Sequence, residues 1–431
     1  MKIFRAFGYR NFRLFFVGQG ISMVGTWMQA VASGWLAYRL TNSPFMLGIV
    51  GFSSQAPIFL LGPLGGFFAD TGNKRRILIV TQAISMVQAI VLAALTLSGK
   101  IEVWHIIVLG VVLGCVNSFD MPVRQSFIVD MVERKEILGN AIALNSLQFN
   151  VARLIGPSIA GILIAVWGEG VCFLINGLSF IAVILSLAAM RVALRESKPK
   201  NYKVIEGIRE GFNYVSKSIP IRHILLLLSV VSVTGASYVV LMPIFARDII
   251  GGGPETLGFL MSSAGIGALG ATLYLASRRT VRGLGRMLVI SASIFALSLA
   301  AFSFSKSLAV SMTVLVITGF GVMAHMAASN IILQTIADDD KRGRMMSFYT
   351  MAFIGTAPIG SLLSGIMASR IGASNTLVVC AILCLAASAV FANKLPVIRQ
   401  AIRPIYKKMG IIPEVASGLN AVNEFSRPPE D

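Results

Sequence analysis

Charge is what this chain has least of. Asp, Glu, Lys and Arg make up only 13% of its 431 residues, against about 25% in an ordinary soluble domain. Acidic residues are scarcer still: 19, against 37 Lys and Arg, for a formal net charge of +18. There are three histidines and four cysteines. The histidines are dispersed, and Cys115, Cys172, Cys380 and Cys384 all fall inside long apolar runs. Cys380 and Cys384 lie one helical turn apart, but no His or carboxylate joins them, so buried apolar thiols are expected, with no metal site and no disulfide. The same scarcity leaves no nucleophile–base arrangement, which speaks against a membrane-embedded enzyme. The sequence has no GxxxxGK[ST] loop, which argues against a self-contained ATP-driven pump. No cofactor is implied, and little polar chain is left over for a soluble domain.

What the chain does have is hydrocarbon. Hydrophobic residues make up 55% of it, in recurring runs of the ~20 residues needed to cross a bilayer. Twelve spans are read at 14–38, 45–69, 77–98, 103–128, 138–166, 170–190, 221–246, 256–278, 286–305, 308–335, 345–369 and 373–392. The basic residues sort themselves between the two sides. The even-numbered connections and both termini hold 31 of the 37, and the other side holds Arg39, Lys100, Arg247, Lys306 and Arg370. Arg153 alone sits deep in a span. Lys and Arg concentrate in cytoplasmic loops, so the expectation is an inner-membrane protein with both ends in the cytoplasm. The net charge is explained by anionic lipid at that surface, and nucleic acid is not implied. Residues 1–13 are basic and polar, and the first span is too long for a cleavable signal.

The halves 1–190 and 221–393 each carry six spans. Leu47-Gly48 after Pro44 recurs as Leu257-Gly258 after Pro254, an offset of 210 that also carries Arg76 onto Arg286. Gly156-Pro157 has its counterpart around Gly355–Gly360. Paired six-helix halves are the trace of a duplicated transporter. Between them, in 191–220, Val204, Ile205, Ile208, Phe212 and Val215 recur at helical spacing among basic residues, reading as an amphipathic helix on the membrane surface. The tail 394–431 is expected to be cytoplasmic, and disordered from about Gly410.

Two motifs carry a resemblance. Gly65-Gly66-Phe67-Phe68-Ala69-Asp70-Thr71-Gly72-Asn73-Lys74-Arg75-Arg76 resembles the loop motif of the major facilitator superfamily, with Thr71 where that family often has arginine. Gly66, one turn after Gly62, would let a helix approach closely. Asp70 would meet a helix N-terminus or a basic residue. Gly156-Pro157 followed by Ala160-Gly161 resembles the glycine–proline motif of the superfamily's exporters. The stretches 140–161, 208–228 and 334–372 are similar to the subfamily of the enterobactin exporter and macrolide efflux proteins. The resemblance implies an all-α fold of twelve helices in two pseudo-symmetric bundles. Gly66, Asp70, Lys74, Arg75, Arg76, Gly156 and Pro157 would then be conformational residues.

Polar residues inside spans are costly and tend to face a cavity. Gln19, Ser22, Thr26, Gln29 and Ser33 step by 3 and 4 along one helix face. Ser146, Asn150 and Arg153 form a second stripe, and Thr318, His325 and Ser329 a third. The bland alternative is hydrogen bonding between helices. Asp120 is the one deep carboxylate. It either pairs with Arg124, four residues on, or exchanges a proton during transport under the influence of Arg153. His325 either titrates or is packed neutral. Arg153 suits an anionic or acceptor-rich solute, because a guanidinium stays charged and offers a planar fork of donors. The expectation is a monomeric, proton-coupled antiporter exporting a small siderophore- or drug-like solute by alternating access. An importer or a lysolipid flippase of the same fold is the alternative.

Overall fold

The computed structural model describes residues 5–132, 135–190, 204–278, 280–338 and 341–408, and these are helical almost throughout. After a short turn at Arg5–Gly8 come α1 (Arg10–Thr41), α2 (Pro44–Thr71), α3 (Lys74–Leu97), α4 (Val103–Asp130), α5 (Lys135–Trp167) and α6 (Glu169–Ala189). A linker helix, α7 (Val204–Lys217), leads to α8 (Ile219–Ile244), which ends in a π-helical turn at Phe245–Ile249. Then follow α9 (Pro254–Ser277), α10 (Leu284–Phe304) and α11 (Leu308–Ile336). The next passage is broken into α12 (Arg342–Thr350), a π-helical turn at Met351–Gly355 and α13 (Ala357–Ile371); α14 (Ala373–Lys408) closes the chain.

Eleven of these passages are long and apolar enough to cross a membrane. The first, α1, has the length, with 32 residues, but its polar stripe dilutes its apolarity; it packs as a twelfth passage against α5 and α6. The turns are set locally. Asn42 takes the left-handed conformation (φ 47°) that ends α1, and the Ser43 hydroxyl caps α2 by accepting the Met46 N–H. Pro44 and Pro254 occupy the first helical position, where a missing N–H costs nothing. The segment 191–203 and the expected disordered tail from Gly410 lie outside the described residues. The last helix runs on to Lys408 through Pro396 and Pro404, past the boundary placed at 393.

The two halves repeat one packing scheme. In the first, α2 packs on α4, α3 on α4 and α6, and α1 on α5 and α6. In the second, α9 packs on α11, α10 on α11 and α14, and α8 on α13 and α14. The halves then meet most extensively through two equivalent contacts, α5 with α9 and α13 with α2, and more sparsely where α8 meets α1 and α2. Both contacts are made by glycine, as close helix approach in a membrane requires. A Cβ on Gly48 would lie 2.9 Å from both Gly365 Cα and Ser361 O. A Cβ on Gly258 would lie 2.5 Å from Pro157 O and 3.1 Å from Gly161 Cα. Gly48 and Gly258 are 210 positions apart, the offset read in the sequence.

These crossings stand at the end of the bundle opposite the basic loops. Around them the Tyr38 hydroxyl donates to Asp248, again 210 positions apart, and Arg247 donates to Asn42 at 2.7 Å. The Arg247 guanidinium lies 5.8 Å from the Tyr38 ring centre. The core divides accordingly. One buried cluster runs through the second half and across this end into α1, α2 and α6. A separate cluster around Phe12, Phe15, Leu78 and Phe127 belongs to the basic end of the first half. The halves are therefore joined at one end and parted at the other.

Leucine at Gly258 cannot coexist with the α5–α9 crossing. In Gly258→Leu, a cysteine placed at the seam residue Ser158 should react about tenfold faster with an impermeant maleimide applied from the far side. Tenfold corresponds to about 1.4 kcal/mol against the joined state. An unchanged rate would mean the crossing does not seal that end.

Candidate functional site

The parting point of the halves is marked on α5. A Cβ on Gly265 of α9 would lie 3.0 Å from Leu154 Cα and 3.3 Å from Arg153 O. From there toward the basic end α5 exposes Phe149, Leu147 and Ser146, while toward the other end it is pinned to α9. Ser262 donates to Leu154 O at 2.7 Å and Ser158 to Ser262 at 2.6 Å within that pinned stretch. Arg153 thus sits at the apex of a cleft that opens toward the basic end.

The Arg153 side chain is half-buried, and among the described residues no carboxylate or carbonyl pairs with it. Its guanidinium lies 5.9 Å from the Trp27 ring centre, and Trp27 meets Phe149 edge-on with ring centres 5.8 Å apart. Gly156 sets this cradle. A Cβ there would lie 2.6 Å from Trp27 Cβ, so only glycine lets α1 come close enough to bring Trp27 beside Arg153. The next residue, Pro157, turns its carbonyl to the α9 crossing. Asn150 donates to Ser146 O at 2.8 Å, and its buried Oδ1 has no partner. A planar cation against the Trp27 ring, with no counter-ion among the described residues, is suited to an anionic group on a planar or apolar body.

The polar stripe of α1 divides between two roles. Gln29 is buried in a network between helices: its Nε2 donates to Gln88 Oε1 at 3.0 Å, and its Oε1 accepts from Asn176 Nδ2 at 2.7 Å. Gln19 and Ser22 are buried as well. Thr26 is exposed, together with Ala30, on the side of α1 away from the exposed Val17 and Ile21. His325 is fully buried, with Nδ1 donating to Leu288 O at 3.1 Å inside the second half. Its Nε2 and the nearby Ser329 hydroxyl have no partner. Asp120 lies apart from Arg153. Its Oδ1 accepts from Thr81 at 3.0 Å and Gln82 at 2.8 Å, and its Oδ2 is 3.6 Å from Arg124. It ties α3 to α4.

The loop motif is also divided. Lys74 pairs with Asp130 at 2.8 Å, and Arg75 caps α6 by donating to Leu187 O and Ala188 O, each at 2.7 Å. Asp70 and Arg76 are exposed, and among the described residues neither side chain has a polar partner. The close-approach glycine is Gly65, whose Cβ would collide with Ser118 O of α4 at 1.8 Å. Gly62 and Gly66 face open space, with nothing within 4 Å of a built Cβ. They continue the α2 face of Gly48, Gly51 and Phe59, whose outer part is covered by α13 and by Gly355 of the π-helical turn. Sequence reasoning missed Trp27 and Phe149. Phe149 stands one turn before Arg153, but an aromatic residue in a lipid-bound helix carries no polar signal to single it out.

The fold has known counterparts. Residues 3–417 match the family profile described as transmembrane secretion effector. The Staphyloferrin A transporter of Staphylococcus aureus is 27% identical, over 84% of this chain and 91% of that one. Macrolide efflux protein A of Streptococcus pyogenes is 22% identical, over 87% and 96%. Among solved structures, a bacterial homologue of the human lysosomal transporter Spinster, in an inward-facing and unoccupied conformation, superposes with a TM-score of 0.69. It is 15% identical, over 91% of this chain and 98% of that one.

Asp120 and Arg153 should separate in a stability assay. Asp120→Leu strands Gln82 and Arg124 inside the first half, at about 1–3 kcal/mol, and should lower the thermal midpoint in detergent by several degrees. Arg153→Met loses no polar partner and should stay within about 0.5 kcal/mol of the parent. The reverse ranking would make Arg153 the structural residue.

Proposed function

This chain belongs to the transmembrane secretion effectors of the major facilitator superfamily, membrane transporters of small molecules, and we propose that it exports an anionic, siderophore- or drug-like solute from the cytoplasm by alternating access. One observation carries the proposal: the cleft between the halves is sealed at one end by two glycine crossings and open at the other, with an unpaired guanidinium at its apex. The basic end is the cytoplasmic one by the distribution of Lys and Arg, so the conformation is inward-open and both termini are cytoplasmic.

The second conformation is written on α2. Gly48 and Gly51 pack on α13 and Phe59 touches Gly355, whereas Gly62 and Gly66 have nothing within 4 Å of a Cβ, yet all five lie on one helix face. Rocking the halves about the midplane would peel α13 from Gly48 and press α12 onto Gly62 and Gly66. In that state Asp70, now in open solvent, would meet the end of α12. The loop motif then acts as a latch for the outward-open state, and Lys74 and Arg75 hold the first half rigid while it swings.

Solute enters from the cytoplasm and places its anionic group on the Arg153 fork, beside Trp27. Closure at the cytoplasmic end parts the glycine crossings and exposes the same apex to the outside. The proton gradient drives the cycle.

Everted vesicles from cells lacking their own efflux systems test this reading. They should accumulate a carboxylate- or catecholate-bearing solute, and an uncoupler should abolish the accumulation. Arg153→Lys keeps the charge but loses the fork, at about 1.5–3 kcal/mol for charged hydrogen bonds. It should cut transport at least tenfold with normal membrane levels. Accumulation by right-side-out vesicles alone would reverse the direction, and full activity in Arg153→Met would remove the site.

A further inference from the structure

The three consecutive basic residues that open α3 are put to different uses. Lys74 and Arg75 are consumed inside the first half, by Asp130 and by the end of α6. Arg76 is exposed and stands at the rim of a crevice of about 460 Å³ between α2, α3 and α4. Its walls include Phe68 of α2, Val80 and Ile84 of α3, and Cys115 and Phe119 of α4. Thr81 lies at the floor, but its hydroxyl is turned to Asp120, so the crevice presents hydrocarbon throughout below the guanidinium.

The crevice faces sideways, away from the cleft between the halves. Val80 and Ile84 begin an exposed stripe that continues through Val87 and Val91 along α3. The opposite side of α3 is packed on α6. In the membrane that stripe meets acyl chains. Arg76 belongs to the basic end, at the level of the head groups.

We propose that this crevice binds one anionic phospholipid of the cytoplasmic leaflet, with its phosphate on Arg76 and an acyl chain laid along Val80, Ile84 and Phe119. The walls require a chain, and the planar guanidinium matches a phosphate through paired hydrogen bonds. A zwitterionic lipid would bring its own cation toward Arg76. An anionic one gains the attraction that a basic residue has for anionic lipid, worth about fivefold in affinity. The transported solute, confined to the cleft between the halves, does not compete for it.

Native mass spectrometry of the full-length protein, titrated in detergent with phosphatidylglycerol or phosphatidylcholine of the same chains, tests the assignment. The first phosphatidylglycerol should bind about fivefold more tightly than phosphatidylcholine. Arg76→Gln should lose that preference and Arg76→Lys keep part of it. Ile84→Trp, which fills the crevice, should weaken the binding of both lipids. Arg286→Gln, at the same place in the other half, should behave as wild type. The proposal falls if wild type shows no preference, if Arg76→Gln retains it, or if Arg286→Gln loses as much.

Discussion

Two places where glycine packs on helix backbone determine what this molecule can do. At Gly48 on Ser361 and Gly365, and at Gly258 on Pro157 and Gly161, backbones touch with no room for a Cβ. In a bilayer the lipid is as apolar as the helices, so close packing must supply the attraction that water would otherwise provide. Both crossings are backbone contacts, and at α5–α9 Ser262 also donates to Leu154 O and Ser158 to Ser262. Each is a copy of the other, so neither half can roll without its partner. The Tyr38–Asp248 and Arg247–Asn42 bonds surround this seam and are the polar cost of opening it.

The polar residues of the interior sort by whether they are satisfied. Gln29, Gln88 and Asn176 bond one another across helices, and Asp120 accepts from Thr81 and Gln82. They make each half rigid. Among the described residues Arg153 has no polar partner, and neither do the Asn150 Oδ1, the His325 Nε2 and the Ser329 hydroxyl. An unpaired cation at such depth is expensive, and the molecule keeps it half-buried beside the Trp27 ring. Rigid halves, glycine crossings and an unsatisfied apex are the parts a rocking carrier needs, and two relatives that share most of the chain are a transporter and an efflux protein.

Much of this was legible in the sequence, because the bilayer imposes a length and a charge rule on every passage. The long apolar passages, eleven of them long and apolar enough to cross a membrane, the linker helix and the two-fold repeat follow from hydrophobic runs, basic loops and the 210-residue offset, which brings Tyr38 to Asp248. Direction around each helix was less legible. Gln29 and Thr26 share a stripe, yet one faces α3 and α6 and the other is exposed, since a stripe stepping by 3 and 4 is wide enough to serve two partners. Gly65 and Gly66 differ by one residue, about 100° of rotation, and that decides which touches α4. The π-helical turns at 245–249 and 351–355 leave no compositional mark, and α14 outlasts its apolar run because its continuation packs through Ile398 and Ile402.

Paired distance measurements would test the rocking account most directly. One spin-label pair would report the basic end, at Arg10 and Gly343, both exposed. A second would report the far end, at Lys100 and Lys306, both exposed. Measured over a range of pH and solute concentration, the account predicts two distances for each pair. The fraction with a shortened basic-end distance should equal the fraction with a lengthened far-end distance under every condition. A basic-end distance that never shortens, or two ends that change independently, would contradict it.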